Sequence, residues 1–178
     1  EALIDGVRVA VGDFSGVRGC KAVLGDPCVG AAVIETSCAN ILKQGFGFDR
    51  CNVSAVMASP GEPDQDLSIE DIVRAKELTI DAARDLTVIG ADDPHFEALM
   101  QRAGDTPVCV VSLDPPHPNA MRHREGGGIT MLLDTQKGKP LVTHWQAGSL
   151  AVTYASETIT GLQSANNAEA LTSACFAC

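Results

Sequence analysis

The stretch LTVIGADDPHFEALMQRAGDTPVCVVSL, residues 86–113, decides the fold class. LTVIG at 86–90 and VCVVSL at 108–113 are short apolar runs rich in β-branched residues, the composition of strands buried on both faces. Between them, residues 94–103 carry a helical period and open on Pro94, which suits a first helical turn because it has no N–H to leave unpaired. Strand, helix and strand within about thirty residues make a βαβ unit. Buried strands joined by helices imply a parallel sheet covered on both faces.

The same rhythm extends to both sides. VRVAV at 7–11, VGAAVIE at 29–35 and VSAVMAS at 53–59 read as further strands. Residues 38–45 and 69–84 read as helices, the second with Ser68 as N-cap and Asp71 at the capping-box position. After Asp114 the helices stop: PPHPN is a proline-rich turn and REGGG a connector. ITMLLD, PLVTHW and SLAVTYA then follow as a small antiparallel meander, and residues 163–178 return to helical period. The expected architecture is α/β, a mostly parallel sheet flanked by helices with the meander near the C-terminal end. No internal repeat, low-complexity tract or linker breaks it, so 1–178 is expected to be a single domain.

A 178-residue chain is long enough to bury roughly two-thirds of its unfolded surface without a disulfide or structural metal. Aromatic residues make up only 4%, so the core must be built from aliphatic side chains. The formal charge is −10, and the thirteen Lys and Arg are scattered. That field repels polyanions and anionic lipid, which excludes nucleic acid and acidic membranes as partners. No stretch approaches the about 20 apolar residues that span a bilayer, and no signal sequence opens the chain. A soluble protein is expected, of unread compartment, with Glu1 a processed or truncated start.

Seven cysteines without regular spacing read as buried reduced thiols. Cys175 and Cys178 form one Cys-x-x-Cys pair, half of a zinc site with no second half at metal spacing. His95, His117, His123 and His144 are scattered and form no nucleophile arrangement. Trp145 and Tyr154 are the large amphipathic aromatics of the meander, placed either to line a ligand site or to cap the core.

Six segments, in order, resemble the ATP-binding middle domain of Mur-type amide ligases, closest to the cyanophycin synthetase branch. They are IDGVRVAVGDFSG at 4–16, AAVIET at 31–36, ILKQGFGFDRCNVSAV at 41–56, IEDIVRAKE at 69–77, ADDP at 91–94 and GLQSANNAEA at 161–170. The resemblance implies a domain that binds ATP and Mg²⁺ and phosphorylates a carboxylate, which an amine then attacks to give an amide. It places a magnesium-binding carboxylate on Glu35, a lysine that is carbamylated at the metal site on Lys76, and an adenine-side asparagine on Asn167.

The departures from the pattern fall on the same functions. The phosphate loop is not within these 178 residues. Ser37-Cys38-Ala39-Asn40 stand where the resemblance implies Arg-Gly-Gly, and Ser59-Pro60 where it implies Asp-His. Asp64 and Asp66 nearby have the setting of turn formers. Gly90 replaces an asparagine before ADDP, and Gln163-Ser164 replace His-Asn. The leading expectation is therefore a truncated, degenerate, non-catalytic scaffold. It would hold a small neutral apolar ligand, such as a carotenoid-like pigment or another lipid-soluble metabolite, and need no cofactor. A homo- or hetero-oligomer is expected, because the absent strand leaves sheet edges open. The alternative is a fragment or subunit of an ATP-dependent amide ligase using ATP and Mg.

Overall fold

The computed structural model describes residues 2–4, 7–10, 16–57, 67–113, 117–136 and 139–155. The chain divides into two compact units, Glu1–Cys51 with Gly61–Leu78, and Asn52–Pro60 with Thr79–Cys178. Each is taken by itself below.

In the first unit, β1 (Ala2–Ile4) and β2 (Val7–Ala10) pair antiparallel as a two-stranded sheet. The apolar run at 7–11, expected in a parallel sheet, is thus the second arm of a hairpin, since its nearest strand partner in sequence is only a short turn away. Helices α1 (Val17–Leu24) and α2 (Cys38–Gln44) follow. The sequence reading missed α1. It also expected a strand over VGAAVIE, whereas residues 29–37 are irregular coil. Its small Gly30, Ala31 and Ala32 offer little side chain to bury, and Val33 is 74% exposed.

Between α1 and α2 on one side and the next strand on the other, Gly47 holds φ +79 against Val17 and Cys20. A Cβ there would meet three of their atoms at 3.2–3.3 Å, so glycine is required twice over, by φ and by space.

The second unit carries a six-stranded sheet in sequence order: β3 (Cys51–Val56), β4 (Ala83–Gly90), β5 (Val108–Ser112), β6 (Ile129–Gln136), β7 (Lys139–Gln146) and β8 (Ser149–Ala155). Helices α4 (Phe96–Ala103) and α5 (Pro118–Glu125) connect its parallel strands, and α3 (Ile69–Ala82) belongs to the first unit up to Leu78 and to the second from Thr79. β4–β5 and β5–β6 are parallel; β6–β7 and β7–β8 are antiparallel. Two side-chain bonds fix β3 beside β4. Asn52 Nδ2 donates to Asp85 Oδ2 at 2.6 Å, and the Ser54 and Thr87 hydroxyls meet at 3.3 Å. Both pairs advance together along the chain, as parallel neighbours must. The amide of Asn52 also holds the Asp85 carboxyl below its ordinary pKa.

The α/β class and the meander are as the sequence implied, and β6 joins the meander to the parallel strands in one sheet. α3 starts on the expected reciprocal cap: Asp71 N donates to Ser68 Oγ at 3.1 Å, and Ser68 N to Asp71 Oδ2 at 3.2 Å. It runs straight into β4 with no loop between. The tie from Arg102 Nε to Asp81 Oδ1, 2.7 Å long, fastens α4 to the last turn of α3.

Both sheet faces are buried, which is why the parallel strands read as unbroken apolar runs. On one face Val56, Ile89, Val110 and Leu132 pack with Ile80 of α3, Phe96 and Leu99 of α4 and Ala120 of α5. On the other, Val88, Cys109, Val111, Met131 and Val142 form a second cluster.

Leu99 has no exposed surface and sits at the centre of the first cluster. Leu99→Ala is expected to lower the unfolding free energy by about 2–5 kcal/mol, against under about 1 kcal/mol for Arg84→Ala on the surface; urea titration checks both. The thiols should separate as cleanly. Cys20 and Cys109 are buried and Cys28 is exposed, and burial pushes the Cys20 thiol up. Peptide mapping after brief iodoacetamide treatment should find Cys28 alkylated first among the thiols of the described residues, with Cys20 and Cys109 modified only in denaturant.

Candidate functional site

In open α/β sheets, ligands gather beyond the carboxyl ends of parallel strands. Here that end is built by the turn Gly90–Pro94 after β4 and by the start of α5 after β5. Ala91 N donates to Val111 O at 2.8 Å, extending the strand pairing one residue past β4. Asp93 N then turns back to Gly90 O at 3.2 Å. Asp93 is only 3% exposed, and its Oδ1 accepts from His95 N at 2.9 Å. A buried carboxylate held this way fixes the turn before the helix. α4 begins at Phe96, with His95 as its N-cap, so Pro94 belongs to the turn and not to the first helical position.

α5 completes this end of the sheet, because Asn119 Nδ2 donates to Ala91 O at 2.9 Å. His117 precedes the helix, and its Nδ1 is buried without a hydrogen-bond partner. The sequence reading took this segment as turn and connector. Two signals could have found the helix: Pro118 at its first turn, and Arg122, His123 and Arg124 in its last, where cations complement the carbonyl end.

Glu35 and Lys76 lie in the first unit. Glu35 is exposed and sits in coil, not at a strand end. Two residues on, Ser37 caps α2, its hydroxyl accepting from Asn40 N at 3.2 Å. The residues that replace Arg-Gly-Gly therefore begin a helix. Lys76 is 8% exposed, beside the fully buried Ala75. An ammonium so enclosed is tolerated only when it is paired or chemically used.

Trp145 and Tyr154 are not brought together. Trp145 packs on the helix-covered cluster, donates Nε1–H to Thr143 Oγ1 at 3.1 Å and lies under the Arg124 guanidinium at 4.6 Å. Tyr154 pairs opposite Val142 and packs on the other face. The two rings cannot line one pocket.

Asn167, Gln163, Ser164, Ser59, Pro60, Asp64, Asp66, Cys175 and Cys178 lie outside the described residues. Among the described residues no group of three or more His, Cys, Asp or Glu is placed to hold a metal ion. No described helix is long and apolar enough to cross a membrane.

No protein-family profile matches the chain. It is similar to cyanophycin synthetases: 29% identical over 133 residues to that of Synechocystis sp., covering 71% of this chain and 15% of the relative. For Trichormus variabilis the figures are 26% over 132 residues, with coverage of 71% and 14%. For Nostoc sp. they are 27% over 146 residues, with coverage of 82% and 14%. The chain thus spans about one-seventh of the length of these relatives, and its similarity to them supports a ligase-related origin for its α/β scaffold.

Proposed function

We propose that this chain is part of an ATP-dependent amide ligase resembling cyanophycin synthetase, contributing scaffold from the ATP-binding middle domain. The observation that carries this reading is the burial of Lys76. The resemblance assigns that position a lysine carbamylated at a magnesium site, and enclosure is what such chemistry needs. A lysine that its surroundings enclose is held in place, as a group modified at a metal site must be. Glu35, an exposed carboxylate, has the hard oxygen that magnesium prefers. Magnesium, when bound, would neutralise phosphate charge during carboxylate activation. The turn Gly90–Pro94 and Asn119 stand at the carboxyl end of the parallel strands, where a nucleotide base is accommodated in this class of sheet.

A second reading, the same scaffold without catalysis, is favoured by one observation: Ser37 to Asn40 are occupied in capping α2. Its apolar-ligand form draws no support from Trp145 and Tyr154, which face opposite sides of the sheet.

Magnesium-dependent binding of a non-hydrolysable ATP analogue, measured by calorimetry on the protein as produced in its source organism, separates the two. The ligase reading expects binding that Lys76→Met weakens at least about tenfold, with the fold retained by circular dichroism. No binding, together with a visible chromophore on the purified protein, would establish the second reading in its place.

A further inference from the structure

An open cleft of about 300 Å³ lies between α4 and α5, at the low end of small-molecule sites. Its floor is apolar, made by Phe96 and Met100. Its polar wall is made by Glu97, Asn119, Arg122 and His123. Of these residues only Asn119 belongs to the strand-end turn described above, which it reaches through Ala91 O.

His123 is oriented by its surroundings. Its Nε2 lies 3.2 Å from Val108 O, and a carbonyl can only accept, so Nε2 carries the proton. Gly128 closes on the same edge of the ring, where a Cβ would stand 2.2 Å from Nε2 and 2.4–2.5 Å from the two carbons beside it. The ring can neither swing nor flip without losing that bond. Beside it stand one cation and one anion. Arg122 Nη2 donates to Asn119 Oδ1 at 3.0 Å and also to Glu97 Oε1. Both bonds leave from the same nitrogen, so Nη1 and Nε still have protons to give. The pair is largely exposed, with 62% and 73% of the two side chains accessible. An ion pair in that setting contributes little stability and is readily exchanged for a ligand's own charges.

We propose that this cleft binds a zwitterionic α-amino acid with an apolar side chain. The carboxylate takes the fork of Arg122, the ammonium lies on the Glu97 carboxylate, and the side chain rests on Phe96 and Met100. One cation and one anion match a ligand of zero net charge, which the −10 field of the chain does not repel. The site stands on the cleft's own geometry and does not depend on the ligase reading.

Thermal unfolding with L-leucine, glycine, 4-methylpentanoate and isopentylamine, each at about 20 mM, tests it. With affinity in the millimolar range usual for so small a ligand, L-leucine should raise Tm by about 2–4 °C and glycine by less. The acid and the amine, each lacking one charge, should leave Tm unchanged. Arg122→Gln and Glu97→Gln, both at exposed positions, should fold as the parent by circular dichroism and abolish the shift. No shift with L-leucine, an equal shift with either half-analogue or with glycine, or survival of the shift in either variant would overturn the proposal.

Discussion

The parallel pairing of β4 with β5 and of β5 with β6 is the constraint on which the rest depends. Parallel strands cannot be joined by a tight turn, so each needs a crossover, and here α4 and α5 supply it. Those helices cover one face, where Ile89, Val110 and Leu132 are 0–3% exposed. Val88, Val111 and Met131, at 0–2%, show that the opposite face is buried as well. The central residues of these strands, Thr87–Gly90 of β4 and Cys109–Ser112 of β5, are thereby committed to a core on one side or the other. Chemistry is pushed to the strand ends and to the connecting helices.

That displacement explains how the polar residues are distributed. Asp93 is buried because it fixes the turn that leads β4 into α4. Asn119 fastens α5 to the same turn through Ala91 O. On the far side of α5, Arg124 lies over Trp145 while Arg122 reaches α4, so one short helix serves the meander, the crossover and the strand-end turn. A helix with mean burial as low as this one is held by such polar ties more than by its apolar face.

The parallel core was legible because burial on both faces leaves a mark, short strands that are apolar at almost every position, as in LTVIG and VCVVSL. The cap of α3 was legible for a similar reason, since Ser68 and Asp71 satisfy each other locally. VGAAVIE misled because composition alone does not create a pairing partner. α5 was hidden by its flanks, two prolines before it and three glycines after, which outweighed the helix signals inside. The burial of Lys76 could not be read from periodicity, because it depends on what packs over the helix and not on the helix itself. The separation of Trp145 from Tyr154 needed the register of β7 and β8, including the shift at His144/Trp145, which no single-strand pattern encodes.

A scaffold whose helices and turns all hang on the parallel strands requires that the parallel core be the last structure to open. Native-state amide hydrogen exchange measures this most directly. Thr87 N, bonded to Pro107 O at 2.9 Å, and Ala91 N, bonded to Val111 O at 2.8 Å, bracket the β4–β5 pairing. The account predicts that both exchange only through global unfolding, with the full denaturant dependence of the equilibrium transition. Rapid exchange at either amide, independent of denaturant, would contradict it.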